Sequence, residues 1–386
     1  REALAEPESP HARRPTLLCN RADEEMKMTH EFKKPLTSSL AVIAVLTLSM
    51  VFPGLSAADP RKNPESATDG AAKDDAQTRL RYAVAYSGYR AGQHPDQGEG
   101  AANPTEEQVL EDLRILTRDL NFGLIRLYDS GEHARTVLKV IREHQLPLKV
   151  MSGIWLSAEI SNHQGCPWLD ERIPDEVLEK NKKENKLEIE RGIKLANEYE
   201  DIVIAVSVGN EALVSWTDHK VDVDRVIKYV KKVKRSISQR VTVAENFAWW
   251  AESGRALARE LDFITVHSYA IWAERDIDEA LAFTASNIEE VREALSGVEL
   301  IIGEVGWATT ASEFGERASE ENQRRYFKEV TEWAAKLNVT LFWFEAFDED
   351  WKGDPNNPNG AEKHFGLFTI DRKPKLVMQE LYPDLK

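Results

Sequence analysis

Two glutamates stand where apolar runs stop. Asn210 and Glu211 follow Ile202-Val203-Ile204-Ala205-Val206-Ser207-Val208-Gly209, and Glu304 follows Glu299-Leu300-Ile301-Ile302-Gly303, ahead of Val305-Gly306-Trp307. Two carboxyl groups brought to one mouth can cleave a glycosidic bond: one protonates the leaving oxygen while its partner acts at the anomeric carbon. In that scheme Glu211 is the acid/base and Glu304 the nucleophile. Asn210, beside the acid, can bond the sugar 2-hydroxyl, a contact that strengthens in the transition state. The structural alternatives are that Glu211 caps a following helix and that Glu304 pairs with a Lys or Arg. Taken jointly, on two distant strands of one series, the two glutamates point to catalysis.

Positioning them requires a parallel sheet. Runs that are apolar throughout read as strands buried on both faces, which is the parallel-sheet signature. From Leu80 onward such runs alternate with amphipathic segments. The pattern predicts strands at Arg81–Ser87, Gly123–Tyr128, Leu148–Trp155, Ile202–Val208, Val241–Glu245, Phe263–His267, Leu300–Gly303 and Thr340–Phe344. Helices are expected after Asn103-Pro104-Thr105, where a cap residue precedes acids, and at Ala134–His144, Pro174–Tyr199, Val223–Ser236, Glu252–Glu260, Asp276–Leu295 and Glu320–Leu337. Pro374–Leu381 closes the chain. Eight strand-then-helix units imply a single (β/α)8 TIM barrel of class α/β, with Glu211 and Glu304 at the ends of strands four and seven. A doubly wound open sheet is disfavoured because no Gly-rich phosphate loop follows the first strand.

The remaining strand ends bring Tyr86-Ser87, Tyr128-Asp129, Glu245-Asn246, His267 with Tyr269, and Glu345 with Asp348-Glu349. Acidic and aromatic groups around one mouth suit a sugar, since aromatic faces stack on pyranose rings and carboxylates and amides bond hydroxyls. His267, His219, His364 and His133 show no repeated helical spacing and there is no His-Glu-x-x-His, so no metal and no cofactor are expected. His267 is expected to bond a neighbouring carboxylate or sugar.

With these pieces in order, the chain resembles glycoside hydrolase family 17, the retaining β-1,3-glucanase family. The resemblance rests on Ile125-Arg126-Leu127-Tyr128-Asp129, Val208-Gly209-Asn210-Glu211, His267-Ser268-Tyr269, Gly303-Glu304-Val305-Gly306-Trp307 and the segment from Phe342 through Glu345, Asp348 and Glu349 to Lys352. It implies the same catalytic pair. It also implies Tyr86, Tyr269, Trp307, Glu349 and Lys352 near the glycone, with Asn246 and Glu345 as further substrate contacts and Lys352 with Glu349 holding the nucleophile ionised. The first loop, Tyr86–Gln93, and Glu345-Ala346 look like the bacterial branch. Aromatics at Trp249, Trp250, Trp272 and Trp351 are either sugar platforms or packing. Bulk after strand five and in the Trp351–His364 insertion would close one end of the groove and favour action near a chain terminus. The same geometry serves hydrolysis or transfer to another sugar. A silent glucan-binding barrel or another β-glycanase of the same clan are the remaining alternatives.

The 386 residues carry 66 acidic against 50 basic side chains. That balance argues against nucleic acid and fits a neutral β-glucan oligo- or polysaccharide as the partner. Residues 1–25 read as an upstream or non-native leader. Residues 26–58 follow the basic, apolar, small-residue order of a secretory signal peptide, with cleavage after Ala57 or Ala58. Residues 59–79 read as a disordered linker and 80–386 as the catalytic domain. The expected mature protein is exported, periplasmic or extracellular, without an integral membrane span, and monomeric. Cys166 is its lone cysteine, so no internal disulfide supports the fold.

Overall fold

The computed structural model describes residues 82–98 and 100–385. The leader, signal and linker assigned to residues 1–79 lie outside the described residues. Eight parallel strands close into a barrel in sequence order: β1 Tyr82–Ala85, β2 Phe122–Arg126, β3 Lys149–Ile154, β4 Val203–Asn210, β5 Arg240–Asn246, β6 Ile264–His267, β7 Leu300–Val305 and β8 Leu341–Trp343. The ring closes where Ala83 of β1 pairs Phe342 of β8. The single (β/α)8 barrel expected from the alternation is the observed fold.

The outer layer is α1 Glu106–Thr117, α2 Glu132–Glu143, α3 Asp175–Glu198, α4 Val223–Lys234, α5 Phe247–Ser253, α6 Arg255–Ala258, α7 Ile277–Ala294 and α8 Glu320–Lys336. Caps fix where these begin. Thr105 and Gln108 form a reciprocal capping box on α1, Asp222 accepts from the backbone of α4, and Ser319 does the same for α8. The fifth helix starts five residues earlier than the pattern predicts. Asn246 at the end of β5 is its N-cap, accepting from Ala248 N at 2.9 Å, so strand passes directly into helix.

Pleated strands send alternate side chains to the barrel interior and to the helix layer. Ala83, Met151, Ala205, Phe263 and Phe342, with Leu124 and Ile301 against them, form a small cluster separate from the main core. They stand within the first three positions of their strands or, for Phe263, just before one, so the interior is plugged below the site. The main core lies between strands and helices; α2 contributes Val137, Leu138 and Ile141, all buried. Each such side chain stabilises the fold by roughly 1.5–3 kcal/mol on burial. Higher up, the interior turns polar: the Thr242 and Thr265 hydroxyls bond each other at 3.0 Å and Arg126 is 1% exposed. Gly303 is required at this level, because a Cβ there would lie 2.1 Å from the Thr265 methyl and 3.2 Å from the His267 ring. That leaves the space in which the next residue, Glu304, meets its partners.

Candidate active site

β4 ends in a turn that ordinary residues avoid. Gly209 has φ +94° and Glu211 has φ +48°, a left-handed conformation uncommon for a residue with a Cβ. Two bonds hold it: Glu211 N donates to Ala244 O at 2.9 Å, and His219 Nε2 lies 2.9 Å from Asn210 O. The turn delivers the Glu211 carboxyl to His267, whose Nδ1 is 2.9 Å from Oε1. Strain of this kind concentrates at functional sites.

Glu304 sits across the same imidazole. His267 Nε2 is 3.5 Å from its Oε1. Arg126 Nη1 donates to Oε1 at 2.7 Å, Tyr128 OH to Oε1 at 3.0 Å and Tyr269 OH to Oε2 at 2.7 Å. Burial alone would push this carboxyl up. The charges of His267 and Arg126 and the two tyrosine hydroxyls outweigh burial, and Glu304 is held below the usual carboxylate range. The two glutamates differ in access to water: the Glu211 side chain is 26% exposed, that of Glu304 only 7%. An ionised, enclosed carboxylate suits a nucleophile, and a solvent-reachable one suits proton exchange.

Arg126 organises both glutamate strands. Its Nη2 donates to Asn210 Oδ1 at 2.5 Å and its Nη1 to Gly303 O at 3.1 Å, while the guanidinium lies 4.7 Å from the Tyr128 ring centroid. With Oδ1 engaged, the Asn210 amide NH2 is the group left to donate to a sugar hydroxyl. The expectation that Lys352 and Glu349 hold the nucleophile is therefore corrected. Lys352 instead pairs with Glu345 and, at 3.0 Å, with Glu349, both nearly fully buried. Burial pushes Glu345 well above the usual carboxylate range despite Lys352, with the neighbouring Glu349 adding to the rise. Ser87 Oγ donates to Glu349 at 2.6 Å and Tyr89 N at 2.8 Å, which ties the first loop to the last.

Other sequence-expected contacts are placed elsewhere. Tyr86 is 1% exposed and its hydroxyl donates to Asp112 at 3.2 Å, so it braces the wall behind the site rather than the glycone. Trp307 is fully buried against Tyr326, and its indole N–H donates to Arg317 O at 2.8 Å. It packs the rim. Asn246 is used as a helix cap, and Glu245 is buried, accepting from Leu213 N at 3.0 Å. Burial and the nearby Glu211 push the Glu245 carboxyl well up. Trp250 is also packing, donating to Thr265 O at 2.9 Å, while Trp272 meets Phe314 and Trp351 meets Tyr89 edge-on.

Two residues were given no role by the sequence. Arg126 had a signal: a lone cation inside the apolar strand Leu124-Ile125-Arg126-Leu127 must be paired if buried. Glu362, in the short 3-10 turn Ala361–Lys363, had none. Burial pushes it up to about 7, with Lys352 opposing and the Glu304 and Glu211 charges adding to the rise, which places it in the field of both glutamates.

Comparison with known proteins agrees with this geometry. A family model for the BtgE/BtgC glycoside hydrolase domain matches residues 83–366. A glucan 1,3-beta-glucosidase of Arthroderma benhamiae is 26% identical over 265 residues, covering 65% of this chain and 78% of that protein. A putative glucan endo-1,3-beta-glucosidase of Aspergillus niger, btgC, is 25% identical over 299 residues, 70% of this chain but only 40% of its own length. Among solved structures, an endo-laminarinase from Formosa Hel1_33_131 superposes with a TM-score of 0.65 at 27% identity, covering 78% of this chain and 86% of its own. A glycoside hydrolase family 17 β-1,3-glucanosyltransferase from Rhizomucor miehei, at 21% identity and a TM-score of 0.60, covering 77% of this chain and 96% of its own, shares the fold.

Proposed function

The chain belongs to the BtgE/BtgC glycoside hydrolase family, and from that premise we propose that it cleaves β-1,3-glucan with retention through a glycosyl-enzyme on Glu304. The observation that carries the reading is the buried, ionised Glu304 held by Arg126, Tyr128 and Tyr269 opposite Glu211. The substrate follows from the relatives, which are named for glucan 1,3-β-glucosidase and endo-laminarinase activity.

In the first step Glu211 donates its proton to the glycosidic oxygen as the C1–O bond breaks and a Glu304 oxygen bonds C1. In the second, Glu211 takes a proton from the incoming hydroxyl, whose oxygen displaces Glu304 from C1. Retention predicts the two carboxyl groups about 5–5.5 Å apart, against the roughly 6.5–9.5 Å that admits a water for inversion. Asn210 donates to the 2-hydroxyl. Glu345, Glu349, Lys352 and Tyr269 complete the polar wall of the glycone side. A silent glucan-binding barrel would gain nothing from an ionised carboxylate enclosed with an arginine.

Transfer to a second sugar is the alternative outcome of the same second step. The insertion 351–364, fastened by Lys363 Nζ to Asp350 O at 2.9 Å and Lys352 O at 2.6 Å, favours action near a chain end. The buried Trp250 takes no part in that closure. The protein is proposed to be exported, with its N-terminal segment removed after Ala57 or Ala58, and to act as a monomer. Among the described residues no helix is long and apolar enough to cross a membrane.

The test is a product time course on linear β-1,3-gluco-oligosaccharides, wild type against Glu304→Ala. Shorter products that vanish in the variant support hydrolysis, and products longer than the substrate support transfer. Turnover undiminished in the variant would overturn the assignment of Glu304.

A further inference from the structure

The match to the family model ends at residue 366, and the chain beyond it is tied into the site. Leu367 N donates to Glu345 O at 2.9 Å, Phe368 N to Ala346 O at 3.0 Å and Asp348 N to Phe368 O at 2.9 Å, so this segment runs beside the loop that leaves β8. It then doubles back in a tight turn, where Arg372 N donates to Thr369 O and Thr369 N to Lys373 O, both at 2.9 Å. Past the turn, Lys375 Nζ donates to Asp348 at 2.7 Å and to His364 O at 3.1 Å, which fastens the β8 loop again. Within the turn stands Arg372, left-handed with φ +66°, which is uncommon for a residue with a Cβ.

The Arg372 side chain is 4% exposed and crosses to the loop after β1. Its Nε and Nη2 take the two oxygens of Asp112 on α1 at 2.8 and 2.7 Å, and Nη2 also donates to Gly88 O at 2.8 Å. A planar fork serves a carboxylate and a carbonyl together, which the point charge of a lysine does not match. Gly88 is fixed from its own side as well: its φ is +75°, and a Cβ there would lie 2.4 Å from the Tyr86 hydroxyl. The residues on either side of Gly88 are the ones that hold Glu349, Ser87 Oγ at 2.6 Å and Tyr89 N at 2.8 Å. Glu349 in turn pairs with Lys352 at 3.0 Å. Of Lys352, Glu345 and Glu349 the lysine side chain is the most exposed, 11% against 2% and 1%, so it is the one able to meet a sugar hydroxyl.

A purely structural account would have Arg372 neutralise the buried Asp112. Arg90 already stands 2.8 Å from that carboxylate, and neutralisation does not call for the reach to the Gly88 carbonyl. We propose that Arg372 is a positioning residue for the glycone side: by fixing the first loop it sets Glu349, and through Glu349 the Lys352 ammonium that meets the sugar. The C-terminal segment thereby closes the ring of loops between β8 and β1, holding one with Lys375 and the other with Arg372. The assignment rests on the β-1,3-glucan reading above and on its placing of Lys352 against the glycone.

The test is a double-mutant cycle in the full chain, with a linear β-1,3-glucopentaose as substrate and kcat, KM and Tm as readouts. Arg372→Met is expected to lower kcat/KM about tenfold, a factor equivalent to about 1.4 kcal/mol. The loss should fall chiefly on KM, because the sugar contact is made in the ground state and the transition state alike. Glu349→Gln is expected to cost a similar factor. Adding Arg372→Met to Glu349→Gln should then cost less than about a further twofold, because both changes act on Lys352 along one line. Asp112→Asn combined with Arg372→Met leaves no stranded carboxylate and carries the same comparison if Arg372→Met alone does not fold. A lowered Tm with kcat/KM of the folded enzyme unchanged, or the full loss repeated in the Glu349→Gln background, would overturn the positioning role alone. Glu349→Gln without effect on kcat/KM would overturn the glycone wall and the positioning role with it. A wild type that never turns over the pentaose would overturn the substrate reading on which both rest.

Discussion

Replacing Arg126 with methionine removes the guanidinium from Glu304 while leaving a side chain of similar length in the barrel. Arg126 is 1% exposed and the Glu304 side chain 7%. Breaking a buried pair by deleting one partner costs about 3–5 kcal/mol, because the remaining charge is left in a poor solvent. The cost can be relieved by protonating Glu304, and each pH unit corresponds to about 1.36 kcal/mol. The Glu304 carboxyl should therefore climb by roughly two to four units before protonation becomes the cheaper state. In the wild type it lies below the usual glutamate value of about 4.3, so the acid limb of kcat/KM should begin below that value. In Arg126→Met it should move up by those same roughly two to four units.

The stability signature reverses with it. A carboxyl lowered on folding contributes stability that is present above the unfolded value and lost as pH falls through the folded one. A carboxyl raised on folding does the opposite, so the variant should lose stability as pH rises from about 4.3 toward neutrality. The assay is kcat/KM against pH with a β-glycosyl fluoride, beside thermal melts at acid and neutral pH. An acid limb that stays at the wild-type position would refute the claim that Arg126 keeps the nucleophile ionised. So would a variant equally destabilised at both pH values.

Glu362→Gln removes a carboxyl pushed up to about 7 by burial and by the Glu304 and Glu211 charges. Because its folded value is raised, the wild type loses stability as pH rises through that range, so the variant should melt higher than wild type near pH 8 and alike near pH 4, read by thermal melts. Lys352→Met leaves Glu345 and Glu349 facing each other without their cation, for a loss of about 3–5 kcal/mol. Adding Glu345→Gln should recover part of it, and a double variant no more stable than the single one would count against the pairing. Asp112→Ala strands Arg372, which contacts the carboxylate at 2.8 and 2.7 Å, and Arg90 at 2.8 Å. The expected loss is about 3–5 kcal/mol, on the order of 10 °C in Tm.

What the sequence made legible divides along physical lines. The barrel was readable because strands buried on both faces cannot hide their composition, and the strand-end glutamates because they interrupt it. Side-chain direction was not readable. Tyr86 and Trp307 follow strands β1 and β7 as the family motif would have them, yet both turn into packing, Tyr86 onto Asp112 and Trp307 onto Tyr326. Strand position tells which end of the barrel a residue occupies, but not whether it faces the opening or the wall. The partner of a charge was equally hidden. Lys352 seemed apt for Glu304 by motif, but the β2 cation Arg126 reaches it through the barrel interior, from 178 positions away. Asn246 has a local use that the strand-end pattern hides: its side-chain oxygen satisfies an orphan amide of the helix that β5 turns into.

The central claim is that Glu304 forms the covalent bond, and trapping that bond tests it most directly. A 2-deoxy-2-fluoro-β-1,3-glucobiosyl fluoride should inactivate the enzyme slowly, and peptide mass spectrometry should find one glycosyl group esterified to Glu304. A label on Glu211, or continued turnover with no covalent adduct while β-1,3-glucan is cleaved, would contradict the account.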